Sequence, residues 1–199
     1  MNLLLALLIA YFLGAIPFGY LLVKWTTGAD VRTAGSGNIG ATNVLRTTGR
    51  TAGVVTLLLD IAKGYAAVWI AGRLSGGEPI WMSAAALAVM AGHAYPVFLR
   101  FHGGKAVASF IGAFLCLTPL AMLCALVIFL WVVVWSRQIS LGSICAAATF
   151  PLAVWIIGHP QLSVFLASML AGAFVIYRHS TNIRRLHSGI EHRFTFGTH

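Results

Sequence analysis

Residues 138–177 read QISLGSICAAATFPLAVWIIGHPQLSVFLASMLAGAFVIY, a run of 40 residues without Asp, Glu, Lys or Arg. A helix that crosses the hydrocarbon core of a bilayer needs about 20 apolar residues, so the run is long enough for two crossings. Gly158-His159-Pro160 interrupts it near the middle, and Gly and Pro in this arrangement are typical of a turn. The run therefore predicts two membrane-spanning helices joined by a tight hairpin.

The composition of the whole chain agrees with a membrane protein. Of its 199 residues, 59% are hydrophobic and only 9% are charged, which is too few charges for the surface of a soluble domain. The chain has thirteen Lys and Arg and four Asp and Glu, which gives a formal net charge of +9. Because most of the chain would lie in lipid, this charge falls in short loops. It favours an anionic partner, either the lipid surface or a phosphorylated substrate.

Apolar segments outside residues 138–177 complete an all-α integral membrane protein. The first begins at Leu3, and the first basic residue, Lys24, follows it, which argues against a cleaved signal peptide. Asp60 and Lys63 lie three residues apart in the second segment and can neutralise each other, as a structural link rather than a catalytic pair. We predict a single domain, 1–199, with helices at about 3–23, 52–74, 79–99, 104–117, 119–136, 139–157 and 161–177.

The number of helices depends on residues 106–136, which are uncharged over 31 residues and offer a turn at Thr118-Pro119. One helix here gives six spans and divides the Lys and Arg outside Lys63 evenly, six to each side. Two helices give seven spans and place eleven basic residues on one side, with only Arg73 opposite. Basic loops favour the cytoplasmic side. We therefore predict seven transmembrane helices, with the N-terminus outside and the C-terminus in the cytoplasm.

Residues 35–40, GSGNIG, match the dinucleotide-binding pattern G-x-G-x-x-G, and Asp60 stands twenty residues beyond its last glycine. That fingerprint requires a buried strand before the glycines and a helix after them. Here a polar segment precedes the glycines, and Asp60 lies inside a predicted span, so we reject a Rossmann site. Glycines still allow a backbone to approach a ligand closely, and successive N–H groups in such a turn can bind an anion.

Three polar segments fall on the predicted cytoplasmic side. They combine Gly, Asn, His and basic residues more densely than helix connections require, and the first two are typical of phosphate-binding loops. A histidine near a helix end is more often structural, and we interpret His102 in that way. The segments are SGNIGATNVLRTTG (36–49), GHAYPVFLRFHGGKAVA (92–108) and RHSTNIRRLHSGIEHRF (178–194).

Several enzyme classes are excluded by what the sequence lacks. Both aspartates precede every histidine, so the H-x-x-x-x-D pair of the widespread glycerolipid acyltransferases is not present. There is no G-x-S-x-G, the usual serine-hydrolase elbow. Two Asp and two Glu are too few for a site with several carboxylate metal ligands, and the three cysteines lack metal-binding spacing. We expect no metal and no cofactor.

Taken together, the segments resemble the bacterial acyl-phosphate:glycerol-3-phosphate acyltransferase family. The match covers nearly the whole chain and includes, in order, the motifs SGNIGATNVLR, DIAKG (60–64), GHAYPVFLRFHGGKAVA and RHxxNIxRLxxGxE. The resemblance implies a seven-helix enzyme of phospholipid biosynthesis in the bacterial inner membrane, with its active site on the cytoplasmic face. It also implies transfer of a fatty acyl group from acyl phosphate to the 1-hydroxyl of sn-glycerol 3-phosphate, giving lysophosphatidic acid and phosphate.

The resemblance places important residues in all three segments, and the chemistry suggests their roles. We expect Lys105 with the Gly103-Gly104 backbone, and Arg46 with Ser36, to bind phosphates. His179 and Asn182 would orient the acceptor. The general base stays open among His179, His93 and a phosphate oxygen of the donor. The predicted catalytic residues are His179, Asn182, Lys105, Ser36 and Arg46; the predicted substrate-binding residues are Gly35, Gly37, Asn38, Asn43, His93, Gly103, Gly104, Arg185, Gly189 and Glu191, the last holding a basic side chain.

Two other classes of function share the basic, glycine-rich segments. A membrane transporter for anions or organophosphates needs access from both faces, whereas the polar groups here lie almost entirely on one side. A module that only binds anionic lipid has no need for so many Asn and His. We expect a monomer whose partners are acyl phosphate, glycerol 3-phosphate and membrane lipid, with no nucleic acid.

Overall fold

The computed structural model describes residues 3–194, and this part of the chain consists of helices joined by loops. Of two short 3-10 turns, Val31–Thr33 precedes the first polar segment and Val97–Leu99 lies in the second. The α-helices, numbered along the chain, are α1 Leu3–Ala15, α2 Phe18–Thr27, α3 Ala41–Thr47, α4 Arg50–Ser75, α5 Pro79–Ala94, α6 Val107–Leu117, α7 Pro119–Ser136, α8 Ile139–Gly158, α9 Leu162–Arg178 and α10 Ser180–His187.

Five stretches of the described residues are long and apolar enough to cross a membrane. A sixth results if α9 and α10, which are bent by 57° at their junction, are taken as one broken span, and α6 is a shorter apolar helix. The helical class agrees with the prediction, while the count of seven crossings and the orientation stay predictions. The five stretches are Leu4–Thr27, Arg50–Ser75, Pro79–Leu99, Pro119–Ser136 and Ile139–Gly158.

Both long uncharged runs are broken at the residues where turns are predicted. Helix α8 ends at Gly158 and α9 begins at Leu162, with His159 in a left-handed conformation at the turn. Helix α6 ends at Leu117 and α7 begins at Pro119. Proline suits the first position of a helix because its missing N–H has no partner there in any case.

The first predicted helix, 3–23, differs from the structure, which breaks it into α1 and α2 at Ile16-Pro17. Proline has no N–H to continue the helical bonding, and it disfavours the helical conformation of the residue before it. The carbonyl of Ile16 accepts instead from the N–H of Phe18 at 3.1 Å and from Nζ of Lys63 at 2.8 Å. A buried cation therefore binds the oxygen that the break exposes.

The chain divides into two compact units, Met1–Leu117 and Thr118–His199. In the first, α1 packs on α5 and α4 packs on α6. Glycines allow these helices to approach closely, as is usual where membrane helices pack. A Cβ atom added at Gly14 of α1 would lie 2.1 Å from the carbonyl oxygen of Val89, and one at Gly112 of α6 would lie 1.9 Å from that of Ile61.

In the second unit, α8 packs on both α7 and α9. Gly172 of α9 lies against the backbone of Ala147 in α8. Large apolar side chains on the outer surface of α7 are exposed, including Trp131 at 69% and Trp135 at 79%. Such a surface is unfavourable in water and favourable against lipid.

Candidate active site

A small hydrophobic cluster in the first unit holds the first two polar segments together. Val31, Ile39 and Val44, which belong to the first segment or flank it, pack with Leu99 of the second segment and with Val23 of α2. All five side chains are at least 93% buried. The structure therefore brings the glycine-rich loop before α3 and the loop before α6 to the same region of this unit.

The side chain of Asn43 fixes the backbone of the glycine-rich loop by hydrogen bonds. Its side chain is buried, and its Nδ2 donates to the carbonyls of Val31 at 3.2 Å and Ala34 at 3.1 Å. Its Oδ1 accepts from the N–H of Ser36 at 2.8 Å. A Cβ atom at Gly35 would lie 2.3 Å from that oxygen, and Gly35 has a φ of 58°. Asn43 and Gly35 thus fix the backbone on either side of Ser36, while their predicted contact with substrate stays a prediction.

The remaining predicted residues of this loop face outward or brace its backbone. Ser36 and Gly37 are exposed, Gly37 with a φ of 70°, and Arg46 is exposed on α3. Asn38 accepts from the N–H of Gly40 through its Oδ1 at 2.8 Å, which closes a small turn. The loop therefore offers a hydroxyl and a guanidinium at its surface.

The second loop, 95–106, has an unusually strained backbone. Arg100, Phe101 and Ala106 have φ values of 52°, 63° and 62°, although they are not glycines. Each such residue costs about 1 to 3 kcal/mol, and residues of this kind cluster at functional sites. Lys105 is half-buried just before α6. The free backbone N–H groups at a helix start favour an anion, as does the lysine.

The Gly103-Gly104 turn folds back onto the end of α5. The N–H of Gly103 donates to the carbonyl of Ala94 at 3.2 Å, and that of Gly104 donates to the carbonyl of His93 at 3.0 Å. A Cβ atom at Gly103 would lie 2.2 Å from the His93 carbonyl oxygen, and one at Gly104 would lie 2.1 Å from Nε2 of the His93 ring. Both glycines are needed for this packing, whatever ligand the loop binds.

Below this turn lies a buried polar cluster. Nζ of Lys63 is 2.7 Å from Oδ1 of Asp60, which confirms the predicted neutralisation of the two charges. Nδ1 of His93 is 3.6 Å from the same Asp60 oxygen and 3.3 Å from Oγ of Ser109 on α6. His93 is therefore held within the protein and contacts the second loop from below.

In the second unit, Glu191 gathers donors from two helices. Its Oε1 accepts from Oγ of Ser140 on α8 at 2.7 Å and from Nδ2 of Asn182 on α10 at 2.6 Å, and its Oε2 accepts from Nε of Arg185 at 2.8 Å. The predicted role of Glu191 in holding a basic side chain is confirmed. The segment after α10 is thereby fastened to the start of α8.

The hydrogen bonds to Glu191 affect its pKa. Burial raises the pKa of this carboxyl, but donation from Ser140, Asn182 and Arg185 outweighs burial and holds the pKa below its ordinary value of 4.5. A lowered pKa in the folded state means that the stabilisation is present above pH 4.5 and is lost as pH falls through the folded-state pKa.

We expect Glu191→Gln to lower the free energy of unfolding by about 1 to 3 kcal/mol at neutral pH, because a buried, charge-assisted acceptor is lost. Thermal unfolding in detergent measures this change. The difference from the parent protein should narrow as pH falls below 4.5 and should vanish below the lower folded-state pKa, where the parent carboxyl is also neutral. Glu78→Gln, at an exposed carboxylate, is the matched control. A difference that stays constant through the acid range would contradict the assigned role of the charge.

His179 is also buried, at the junction of α9 and α10. Its Nδ1 lies 2.7 Å from the carbonyl oxygen of Val175, so this nitrogen carries the proton of that bond. In the neutral ring, Nε2 is then the acceptor. Gly189, exposed with a φ of 71°, lets the chain turn back after α10 toward Glu191.

The predicted residues thus form one group in each unit. In the first, Asn43 and His93 support the two loops from within. In the second, Glu191 joins Asn182 and Arg185. Ser140 and Ser109 were missed by sequence reasoning, because a serine in an apolar helix gives no signal of a distant polar partner. Among the described residues, no three His, Cys, Asp or Glu side chains converge as a candidate metal site.

Comparisons with known proteins agree on one family. The family model for glycerol-3-phosphate acyltransferase matches residues 4–189. A glycerol-3-phosphate acyltransferase from Geobacter sulfurreducens is 47% identical over 194 residues, which is 98% of both chains. One from Trichlorobacter lovleyi is 50% identical over 188 residues, covering 93% of this chain and 94% of the relative.

A solved structure has the same fold. The crystal structure of PlsY (YgiH), an integral membrane glycerol 3-phosphate acyltransferase, in its glycerol 3-phosphate form superposes with a TM-score of 0.92 at 39% identity, covering 97% of this chain and 96% of that one. The helices and the two groups of polar residues define a multi-pass integral membrane enzyme. The chain belongs to the glycerol-3-phosphate acyltransferase family, and its reaction is acyl transfer to glycerol 3-phosphate.

Proposed function

We propose that the acyl donor is an acyl phosphate and that the acceptor is the 1-hydroxyl of sn-glycerol 3-phosphate. The hydroxyl oxygen forms a bond to the acyl carbon, and the bond from that carbon to the phosphate oxygen breaks. The products are lysophosphatidic acid and inorganic phosphate. The observation that best supports this proposal is the strained loop that holds Lys105 at the start of α6, within a chain of this family.

The charges of the first unit suit two phosphate-bearing substrates. Lys105 binds one phosphate, and Arg46 with Ser36 binds phosphate from the glycine-rich loop. The Gly103-Gly104 backbone, expected to donate to phosphate, instead donates to the carbonyls of Ala94 and His93 and so holds Lys105 in place. Ser36 and Arg46 are exposed and Lys105 is half-buried, whereas Asn43 and His93, which support the two loops, are buried. A binding site keeps its geometry when its supporting side chains are fixed in this way. Gly35, Gly37 and Asn38 contribute the backbone of the first loop.

In the second unit, His179 and Asn182 orient the acceptor and its hydroxyl, and Arg185 adds positive charge. Their support is again buried: His179 is fixed by the Val175 carbonyl, and Asn182 and Arg185 by Glu191. Gly189 allows the turn that brings Glu191 back to them. Side chains fixed in this way lower the entropic cost of aligning the reacting atoms.

The leaving group removes the need for a strong protein base. An acyl phosphate is an activated anhydride, and the phosphate that departs has oxygens that accept the proton of the attacking hydroxyl. His93 is not suited to the role, because its ring lies beneath the second loop against Asp60 and Ser109. The protein then chiefly positions its substrates and stabilises negative charge as it develops on the acyl oxygen.

We propose that the enzyme is a monomer of seven crossings in the bacterial inner membrane, with its active site on the cytoplasmic face. The distribution of basic residues supports this orientation. With Cys116, Cys124 and Cys145 replaced by serine, a membrane-impermeant thiol reagent applied to intact cells should label a cysteine at Gly76 or His159 and not one at Thr48. Inverted vesicles, in which Thr48 becomes reachable, are the control. Labelling at Thr48 from outside would overturn the topology.

We expect direct transfer within a ternary complex, without an acyl-enzyme. A nucleophilic Ser36 would need an adjacent base and would give ping-pong kinetics, whereas an acyl phosphate is already activated for direct attack by the acceptor hydroxyl. Radiolabelled acyl phosphate alone should leave no hydroxylamine-labile label on the denatured protein, and initial-rate plots should intersect. Stoichiometric label that disappears in Ser36→Ala and chases into lysophosphatidic acid would make Ser36 the nucleophile.

A further inference from the structure

The ion pair of Asp60 and Lys63 has no part in the proposed reaction, although both residues lie deep in the first unit. Asp60 is 2% exposed and Lys63 is 4% exposed, on a helix long and apolar enough to cross the membrane. Ionisable side chains at such positions are costly, and replacing a buried ion pair by well-packed hydrophobic residues of similar volume often costs no stability. Stability alone therefore gives a weak reason for placing this pair here.

The pair is connected at both ends. On one side, Nζ of Lys63 donates to the carbonyl of Ile16 at 2.8 Å, at the break between α1 and α2. On the other, Oδ1 of Asp60 lies 3.6 Å from Nδ1 of His93, on α5. Ser109 of α6 also contacts this nitrogen, at 3.3 Å. A carboxylate beside Nδ1 favours the proton on that nitrogen and fixes the plane of the ring.

The opposite edge of the same ring meets the second loop. Gly104 packs so closely on it that a Cβ atom there would lie 2.1 Å from Nε2. The N–H of Gly104 also donates to the carbonyl of His93. Lys105 follows directly, and Ala106 has a φ of 62°. A rotation of the His93 ring would therefore displace the backbone that carries Lys105.

We infer that Asp60 is a positioning residue, which acts through His93 to hold the Gly103-Gly104-Lys105 backbone in its phosphate-binding geometry. Lys63 keeps Asp60 ionised and oriented. The phosphate-binding part of this inference rests on the proposed function, whereas the mechanical link from Asp60 to the loop does not. The alternative is that the pair only balances charge and joins helices.

Two variants, Asp60→Asn/Lys63→Gln and His93→Gln, distinguish a positioning role from charge balance alone. Asp60→Asn/Lys63→Gln removes both charges together; Asn has the shape of Asp, and Gln is shorter than Lys but still polar, so charge balance alone predicts kinetics close to those of the wild type. If Asp60 has a positioning role, this double variant should melt close to the temperature of the parent protein. Its KM for glycerol 3-phosphate should rise by about tenfold or more, because small displacements of positioning groups have effects of this size. Its kcat should change less. His93→Gln should raise KM similarly with the ion pair intact. Thr56→Ser, at a buried polar site one turn earlier on α4, is the control.

The triple variant tests whether the effect passes through His93. If it does, Asp60→Asn/Lys63→Gln should add little to His93→Gln, because the effects of residues acting through one route are not additive. Additive effects would contradict the link, as would a wild-type KM in either Asp60→Asn/Lys63→Gln or His93→Gln. If the double variant does not fold, His93→Gln alone decides the matter.

A readout without activity separates this inference from the proposed reaction. Arg100 is exposed within the second loop, and trypsin cleaves after arginine and lysine. Limited proteolysis in detergent should be faster at Arg100 or Lys105 in both Asp60→Asn/Lys63→Gln and His93→Gln than in the parent. Unchanged cleavage in both variants would overturn the positioning role. A parent protein that makes no lysophosphatidic acid would instead overturn the proposed function and leave this comparison valid.

Discussion

Lys105→Ala is expected to lower kcat/KM by roughly tenfold to a hundredfold. A charge-assisted hydrogen bond to a bound phosphate contributes about 1.5 to 3 kcal/mol, and each 1.4 kcal/mol corresponds to about a tenfold change. Lys105 lies half-buried at the start of α6, where the free N–H groups of the helix reinforce its charge. Without the Lys105 side chain, only the backbone N–H groups at the start of α6 would remain to bind a phosphate there.

Steady-state rates with each substrate varied in turn measure this effect. Lys24→Ala is the matched control, because it removes the same charge from the same unit at an exposed helix end, where Lys24 donates to the carbonyl of Gly28 at 2.8 Å. Lys105→Arg should recover part of the activity by keeping the charge. Normal kinetics in Lys105→Ala would remove the second loop from the site.

Gly104→Ala should raise KM for glycerol 3-phosphate or acyl phosphate more than it lowers kcat. The N–H of Gly104 donates to the carbonyl of His93, and the Cβ position of Gly104 is occupied by the His93 ring, 2.1 Å from Nε2. Inserting a methyl group into such packing typically costs about 1 to 3 kcal/mol. Through displacement of Lys105, we expect a change in kcat/KM of about tenfold.

The origin of that effect can be checked by making room for the methyl group. In Gly104→Ala/His93→Ala the clash is absent, so the double variant should lose less activity than the sum of the two single changes predicts. Gly158→Ala, at a helical glycine where an added Cβ would lie 3.9 Å from Cδ of Pro160, an ordinary contact, is the control for the substitution itself. Fully additive losses would mean that Gly104 is needed for another reason than its packing on His93.

Sequence patterns predicted the features that depend on local chemistry. Apolar length and the turns at Gly158-His159-Pro160 and Thr118-Pro119 were predicted because hydropathy and proline act locally. Spacing alone also predicted the ion pair of Asp60 and Lys63, since residues three apart share a helix face.

Features that depend on packing between distant segments were not predictable. The break at Ile16-Pro17 had a local signal in the proline, which the prediction of one long apolar helix passed over, but the partner of the Ile16 carbonyl, Lys63, is 47 residues away. Asn43 was expected to contact substrate, but the structure shows its amide bonded to the loop around Ser36. The positive φ values of Arg100, Phe101 and Ala106 leave no mark in composition, because tertiary contacts impose them.

The central claim is that this chain catalyses acyl transfer from acyl phosphate to glycerol 3-phosphate. The most direct test is to incubate purified protein in detergent with acyl phosphate, with and without glycerol 3-phosphate, and to measure inorganic phosphate and lysophosphatidic acid together. We predict that phosphate is released only when glycerol 3-phosphate is present, in equal amounts with lysophosphatidic acid, and that acyl-CoA does not replace the donor. Phosphate release without the acceptor, or no lysophosphatidic acid from acyl phosphate, would contradict the account.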